Sequence, residues 1–514
     1  MSEGKVYLLG AGPGDPGLLT VRAREVLAAA HVVVYDYLAN RGFLDFCSEN
    51  AELIYAGKRG GQHTLSQEEI NRILVDRAKQ GNTVARLKGG DPYVFGRGAE
   101  EAEQVVDAGA AFEVVPGVTS AVAAPAYAGI PLTHRDYSSS VSLVTGHESA
   151  DKGESALDWQ ALARSASTLV FFMGVKNLAS IADNLLHAGL EGETPAALVR
   201  WGTTCRQRTL VDRLDGIACK AEEAGFAAPA LLLVGGVVRL KERLDWFEKR
   251  PLLGRGVVVT RAREQASGLL RLFGDMGACC HQFPTIRISP LPEYDAVDRA
   301  ALELADYKTV VFTSVNGVRH FFHRLRKLRM DSRAFGACRL AAIGPATADE
   351  LRARGLEPDF VPGRYVAEEV VQGLIQGGFD GPVLIPRAET AREVLPEELR
   401  QAGFGVHVLP VYRTELAHND APELLEAMQR GEVHYVSFTS SSTVHNFFQL
   451  VDPEQLRPFT EKGLRLACIG PVTEETLQEY GFTCQVRPER YTVSGLARAI
   501  ARDATGDTSD GAAE

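Results

Sequence analysis

Apolar and polar positions succeed one another along this chain in two kinds of block. Compact apolar runs such as Val6-Tyr7-Leu8-Leu9, Val32-Val33-Val34-Tyr35 and Thr309-Val310-Val311 read as buried strands. Stretches with apolar residues at every third or fourth position, such as Leu18 to Ala29, read as helices. The two kinds alternate throughout, which predicts α/β domains with mainly parallel sheets. Between Arg239 and Arg255, charges and Pro251 mark a seam separating two strand-bearing parts. A loop is expected from Glu148 to Ser155, and the small, polar, acidic end from Asp503 to Glu514 reads as a disordered tail.

The second part repeats itself. Arg261-Ala262 recurs as Arg387-Ala388, Phe312-Thr313-Ser314 as Phe438-Thr439-Ser440, and Ile343-Gly344-Pro345 as Ile469-Gly470-Pro471, each 126 positions on. Thr347 matches Thr473, and Arg364-Tyr365 matches Arg490-Tyr491, at the same offset. A constant offset without gaps marks a duplicated α/β unit from about 254 to 502, expected as two lobes facing a cleft. Phe-Thr-Ser and Ile-Gly-Pro-x-Thr each follow a strand and open a helix. Hydroxyls there either cap the helix or offer donors to a ligand carboxylate, and four such helix starts on one cleft favour anion binding.

Length and composition narrow the function. The 514 residues suggest three or four domains, with 45% hydrophobic and 24% charged residues, ample for large cores. A formal charge of −11 argues against a general nucleic-acid binder. The eight cysteines include no CxxC pair, and adjacent Cys279-Cys280 cannot form an ordinary zinc knuckle. This pattern predicts a reduced, cytoplasmic protein with no disulfide framework and no metal. No apolar run reaches the roughly 18 residues of a bilayer span, and no signal peptide precedes the first strand.

The densest chemistry lies near the start. Gly10-Ala11-Gly12-Pro13-Gly14-Asp15-Pro16-Gly17 turns from a strand towards a helix, the usual cradle of a nucleotide-like ligand. A dinucleotide fingerprint would need Gly or Ala where Asp15 stands, and Pro13 and Pro16 remove two N–H donors. Asp36 does sit where a ribose-binding acid would, so a nicotinamide-dependent dehydrogenase is one reading. A rigid, donor-poor turn better suits an uncharged or cationic adenosine ligand. Further on, a strand enters Gly89-Gly90-Asp91-Pro92, then Tyr93, Val94, Phe95 and Gly96-Arg97-Gly98. Two glycines before an acid permit close backbone approach, and the acid either closes a turn or accepts from a ligand. Pro116-Gly117-Val118-Thr119-Ser120 marks another strand-to-helix turn, and Pro131-Leu132-Thr133-His134-Arg135 adds a basic segment.

With Gly57-Lys58-Arg59, Phe172-Met173-Gly174 and Trp201-Gly202-Thr203, these segments stand in the order and spacing of a known family. Residues 1–245 resemble the uroporphyrinogen-III C-methyltransferases, class III S-adenosylmethionine-dependent enzymes with two α/β subdomains, here about 1–135 and 136–245. The resemblance implies that Pro13, Gly89, Gly90, Asp91, Val94, Thr119, Ser120, Met173 and Gly202 line the S-adenosylmethionine site. It makes Asp36 a proton acceptor and Lys58 a proton donor, and it suggests a homodimer. Taken alone, Asp36 reads as a strand-end turn residue, Lys58 as a solvated charge and Met173 as core. The substrate bears eight carboxylates, for which Arg22, Lys58, Arg59, Arg86, Lys88, Arg97 and Arg135 are candidate partners.

Residues 254–502 resemble uroporphyrinogen-III synthase through Thr260-Arg261-Ala262, the repeated motifs above and Pro410-Val411-Tyr412. That resemblance implies crossed lobes, one from 254–287 plus 414–502 and the other from 290–411, with no cofactor. Tyr412 is the candidate for assisting departure of a hydroxyl, with a lobe-edge aromatic as the plain alternative. Arg261, Thr313, Ser314, Thr347, Ser440 and Thr473 are candidate substrate contacts, with Arg364 and Arg387 as further carboxylate partners. Together the two parts imply a bifunctional enzyme. It would cyclise hydroxymethylbilane to uroporphyrinogen III with inversion of ring D, then methylate the product at C2 and C7 to precorrin-2. The alternative is a methyltransferase whose C-terminal module only binds tetrapyrrole.

Overall fold

The computed structural model describes residues 4–57, 65–146, 157–363, 367–391, 393–417, 419 and 421–506. Lys58, Arg59, Arg364, Tyr365 and the expected loop Glu148 to Ser155 lie outside the described residues. Two compact units emerge: 1–257 with 271–280 and 497–514, and 258–270 with 281–496.

The first subdomain runs β1 (Lys5–Gly10), α1 (Val21–Ala29), β2 (Val32–Tyr35), β3 (Glu52–Tyr55), α2 (Gln67–Lys79), β4 (Thr83–Lys88), α3 (Gly98–Asp107), β5 (Ala111–Val115) and α4 (Ser120–Tyr127). Its strands form one parallel sheet in the order β3-β2-β4-β1-β5. Both faces are covered: Val6, Leu8, Val34 and Val84 pack with α2 and α3 on one side, and Leu9, Val33, Ala85 and Leu87 pack with α1 on the other. Continuous apolar runs such as Val32-Val33-Val34 are what a strand buried on both faces requires. Parallel pairing brings every carboxyl-terminal strand end to one edge. Leu9 lies opposite Leu87 and Val115, so the turns after β1, β4 and β5 are neighbours, and Asp36 follows β2 beside β4.

The second subdomain contains β6 (Val141–Thr145), α5 (Trp159–Ser165), β7 (Thr168–Phe172), α6 (Leu178–His187), β8 (Pro195–Arg200), β9 (Arg208–Arg213), α7 (Ile217–Glu223) and β10 (Ala230–Val234). Its order is β6-β7-β10-β8-β9, and only β6 and β7 run parallel. The expectation of mainly parallel sheets fails here. The short Trp201–Gln207 loop returns β9 antiparallel to β8, where a parallel return would need a full crossover helix.

The charged seam is a folded connector. After α8 (Lys241–Leu244), Lys241 Nζ bonds Asp245 at 3.1 Å and Glu248 at 3.0 Å. Trp246 Nε1 donates to the Ala126 carbonyl at 3.0 Å, Phe247 is buried against Tyr127, and Arg250 lies over both rings. Four of the charges that mark the seam, Lys241, Asp245, Glu248 and Arg250, have local partners. The cysteines correct a second expectation: Cys205 and Cys279 form a disulfide. Their 74-residue separation hid the pairing from any spacing argument.

The C-terminal part contains β11 (Gly256–Val259), α9 (Arg263–Asp275), β12 (Cys279–Gln282), β13 (Ile286–Ser289), α10 (Asp295–Leu302), β14 (Thr309–Phe312), α11 (Val315–Lys327), β15 (Arg339–Ala342) and α12 (Pro345–Arg352). It continues with α13 (Ala367–Gln376), β16 (Pro382–Ala388), α14 (Val394–Gln401), β17 (Gly405–Leu416), α15 (Ala421–Gln429), β18 (Tyr435–Phe438), α16 (Ser441–Leu450), α17 (Pro453–Glu461), β19 (Arg465–Cys468), α18 (Pro471–Glu479) and α19 (Val493–Thr505). One sheet has the order β12-β11-β18-β19, the other β13-β17-β16-β14-β15. The 126-residue repeat is reproduced in detail. Phe312 lies opposite Ala342 as Phe438 lies opposite Cys468. The Leu340 amide donates to Asp359 at 2.7 Å as the Leu466 amide donates to Gln485 at 2.8 Å. Helix α19 reaches Thr505 and so enters the segment expected to be disordered, because Leu496, Ala497 and Ile500 give it a buried face.

Candidate functional site

Three glycine turns interlock at the carboxyl edge of the first sheet. Gly12 and Gly90 form a two-way bridge, N–H to carbonyl at 3.1 Å and 2.7 Å. A Cβ on Gly10 would stand 2.3 Å from the Gly117 nitrogen, and one on Gly117 would stand 2.3 Å from the Gly90 oxygen. Gly90 is left-handed (φ 69°), with Thr119 and Ser120 no closer than 3.8 Å to where its Cβ would be. The glycines therefore serve chain-to-chain contact, and Gly90 lies at ordinary contact distance from the start of α4.

Asp91 ties the floor together. Its Oδ1 accepts from the Tyr93 amide at 2.8 Å and its Oδ2 from the Gly117 amide at 3.0 Å. The carboxylate expected to meet a ligand is engaged with backbone. Thr119 caps α4, its hydroxyl accepting from Ala121, and Ser120 is the first residue of that helix. The second subdomain supplies the opposite wall. Gly202 packs so tightly on α4 that a Cβ would lie 2.3 Å from that of Ala124. Pro13 stands between Gly12 and Gly14, and a Cβ on Gly14 would meet Thr204 at 2.6 Å. Val94 packs with Phe172, and Phe95 lies on the Phe172 ring at 4.8 Å, next to an exposed Met173. Gly89, Gly90, Asp91, Thr119 and Ser120 thus meet at the carboxyl edge of the sheet, with Gly202 on α4, Pro13 in the turn that meets Thr204, Val94 packed in the Phe172 cluster, and Met173 exposed beyond Phe172.

Backbone strain gathers there too. Phe95, Arg97, Met173, Trp201 and Thr203 all have positive φ, a conformation costing non-glycine residues about 1–3 kcal/mol each and typical of ligand sites. Sequence reasoning missed the bond network fixing the Trp201–Thr203 loop. The Asp15 amide donates to Thr203 Oγ1 at 3.1 Å, the Tyr127 hydroxyl donates to Asp15 Oδ2 at 2.7 Å, and the Thr203 amide donates to Gln207 at 2.7 Å. Burial, then the Asp15 carboxylate, pushes the Tyr127 phenol well above its ordinary range. Asp15 at the third-glycine position was the signal: an acid there has a partner to hold.

Asp36 stands at the rim. Its Oδ1 accepts from the Leu38 and Ala39 amides at 3.0 and 3.2 Å, and its Oδ2 lies 3.8 Å from Arg86. Most of the basic side chains expected to meet substrate carboxylates are already engaged. Arg86 and Lys88 are buried on Glu101, Arg22 pairs with Glu113, and Arg97 pairs with Glu100. Arg135 is exposed.

In the C-terminal part, Ser314 and Ser440 cap α11 and α16, accepting from the Gly317 and Thr443 amides. Thr313 precedes one cap, half-buried. Thr347 and Thr473 are buried inside α12 and α18 and do not present hydroxyls at the surface, contrary to the expected ligand role. Pro345 and Pro471 occupy the first helical positions, so the threonines fall on the core-facing turn. Arg261 is half-buried after β11, and Arg387 is buried against Glu393. Register slips between Arg387 and Ala388, so Ala388 pairs with Tyr412. Such a bulge re-aims the bulged strand's side chains. The Tyr412 hydroxyl lies 3.2 Å from Ser314 Oγ, its ring lies on His320, and burial raises its pKa above the ordinary phenol range.

Comparison with known proteins matches both halves. Residues 5–218 fit the Tetrapyrrole (Corrin/Porphyrin) Methylases, and residues 267–498 fit Uroporphyrinogen-III synthase HemD. Porphyrin biosynthesis protein HemD of Ruminiclostridium josui is 36% identical over 96% of this chain and 97% of its own length. The chain belongs to the fused tetrapyrrole methylase–uroporphyrinogen-III synthase family. The Uroporphyrinogen-III C-methyltransferase of Bacillus subtilis is 42% identical over 70% of this chain and 74% of that protein. A crystal structure of uroporphyrin-III C-methyltransferase from Thermus thermophilus with S-adenosylhomocysteine is 40% identical, covering 46% of this chain and all of that one, with a TM-score of 0.40. As a member of this fused family, the chain joins a methyltransferase to a uroporphyrinogen-III synthase. Among the described residues no helix is long and apolar enough to cross a membrane, and no group of ligating side chains could hold a metal ion.

Proposed function

We propose that the C-terminal part closes hydroxymethylbilane to uroporphyrinogen III with inversion of ring D, and that the N-terminal part methylates this product at C2 and C7 to precorrin-2. The observation carrying the N-terminal reading is the meeting of Gly90, Asp91 and Thr119, with Gly202 packed on α4, around a donor-poor, proline-bearing turn. Such a floor suits a neutral or cationic adenosine ligand and not a pyrophosphate, which speaks against the dehydrogenase reading.

S-adenosylmethionine supplies an activated methyl group when bound. The protein's task is placement: a rigid floor, apolar Met173 and Phe95 beside it, and exclusion of water, which together lower a barrier by several kcal/mol. Methylation makes the substituted pyrrole carbon quaternary and leaves the macrocycle cationic, so a proton must then leave the ring system from a nitrogen or a bridging carbon. Asp36, with Oδ2 open at the rim, serves as acceptor.

For ring closure, Tyr412 is the donor to the departing hydroxyl. Burial keeps its phenol protonated, and Ser314, itself held by the Gly317 amide, orients it. Arg261 and the Ser440 helix start serve substrate carboxylates. The protein acts in the cytoplasm as a homodimer.

The test supplies hydroxymethylbilane and S-adenosylmethionine to purified protein under anaerobic conditions and resolves the products. Precorrin-2 is expected. Type I isomer alone removes the synthase assignment and leaves a tetrapyrrole-binding module. Unmethylated type III product removes the transferase assignment.

A further inference from the structure

A buried charge cluster lies behind Asp36. Glu101, in the first turn of α3, is fully buried. Its Oε1 accepts from Arg86 Nε at 3.2 Å, Lys88 Nζ at 2.7 Å and Gln67 Nε2 at 3.1 Å. Its Oε2 has no hydrogen-bond partner among the described residues. Arg86 is equally constrained: Nη1 donates to the carbonyls of Val34 at 3.4 Å and Leu87 at 3.3 Å. What remains of its fork, Nη2, lies 3.8 Å from Asp36 Oδ2.

This arrangement is expensive for a purely structural device. Each charge taken from water costs several kcal/mol, and packed apolar residues of like volume would hold α3 on the sheet as well or better. Burial also draws Lys88 below its ordinary range. The charge count gives a reason for keeping the cluster. Arg86 and Lys88 face one buried carboxylate, leaving a single excess positive charge, and Asp36 is the acid at the open corner that balances it.

We propose that Arg86 is the positioning residue for Asp36. Glu101 and two backbone carbonyls clamp the guanidinium from behind, so its free edge fixes the place of the Asp36 carboxylate through their mutual attraction. At 3.8 Å the pair is electrostatic without a direct hydrogen bond, so Oδ2 keeps a lone pair for an incoming proton. Among the described residues the charged groups facing Asp36 are Arg86 and Lys88 from β4, with Glu101 of α3 behind them. The Tyr55 hydroxyl from β3 lies beside Gly57 at the adjoining turn. The inference rests on the reading of Asp36 as proton acceptor.

The experiment measures kcat for methylation of uroporphyrinogen III against pH in the full-length protein, at saturating S-adenosylmethionine. Removing a cation within 4 Å raises a carboxylic acid's pKa, and a base active only when ionised then loses activity at higher pH. Arg86→Gln should move the acidic limb up by about one pH unit, with S-adenosylmethionine affinity unchanged. Arg86→Lys, which keeps the charge, should restore the limb. Should Arg86→Gln fail to fold, Arg86→Met, which fills similar volume and leaves Lys88 and Glu101 balanced, should shift the limb in the same direction. A limb that stays in place, with kcat lowered equally at every pH or affinity lost in parallel, overturns the proposal. Asp36→Asn separates the two claims. If it keeps full kcat, the acceptor reading itself falls. If it abolishes kcat while Arg86→Gln leaves the limb unmoved, only the positioning role falls.

Discussion

Replacing Asp91 by alanine tests whether the glycine floor is a binding element or a passive turn. The carboxylate holds two amides, Tyr93 at 2.8 Å and Gly117 at 3.0 Å, on two different strand ends. A hydrogen bond to a charged group contributes about 1.5–3 kcal/mol net, and water partly replaces the bond at a half-exposed site, so about 1.5 kcal/mol for each is a fair lower figure. The Gly117 bond holds the two turns against each other and the Tyr93 bond shapes the Asp91 turn itself, so losing both weakens the closed floor by about 1.5 to 3 kcal/mol, roughly ten- to a hundredfold in a conformational equilibrium. If only the closed floor binds the methyl donor, apparent affinity falls by the fraction of molecules still closed. Titration calorimetry with S-adenosylmethionine should therefore show binding weakened between ten- and a hundredfold, while conversion of hydroxymethylbilane proceeds at the wild-type rate. Equal loss of both activities would contradict separate sites. Unchanged affinity would show that the floor does not touch the donor.

Gly117→Ala places a methyl group 2.3 Å from a backbone oxygen that cannot yield, so S-adenosylmethionine binding should be lost and the N-terminal unfolding temperature lowered in calorimetry, with ring closure retained. Tyr412→Phe should cut the rate of type III formation without affecting methylation of supplied uroporphyrinogen III; an unchanged rate removes Tyr412 from the chemistry. Because burial raises the Tyr412 pKa, the folded state holds the neutral phenol while the unfolded chain ionises near pH 10. That contribution to stability is complete below pH 10 and is lost as pH rises further, so Tyr412→Phe should lose less stability than wild type between pH 10 and 11.5 in thermal melts. With Cys205 bonded to Cys279, unreduced denatured protein should titrate six thiols of its eight cysteines, and a count of eight would exclude the bridge. Cys205→Ser should then cost up to about 4 kcal/mol by loop-closure entropy, read as a fall in the denaturation midpoint.

What the sequence made legible had local causes. Strand runs such as Val32–Tyr35, the Gly-Pro turn after β1 and the 126-residue repeat each leave a direct signature, and the structure carries all three. The less legible features depend on partners distant in the chain. Asp91 read as a ligand group because nothing in its neighbourhood names Gly117, 26 positions on, as its partner. Arg86 and Lys88 looked available because Glu101 sits on the next helix, where it reads as an ordinary first-turn acid. Thr347 and Thr473 stand after a strand, at a helix start, as the capping serines do, yet each lies inside its helix behind the opening proline and is buried. The second sheet's antiparallel order escaped because short apolar runs carry no mark of direction.

The mutual contact of Gly10, Gly90 and Gly117 has an evolutionary corollary. Main chain touches main chain there, so no substitution can reshape that surface by degrees; selection finds it either intact or broken. Any change in what the edge can accommodate must proceed through the side chains around those turns and not through the turns themselves.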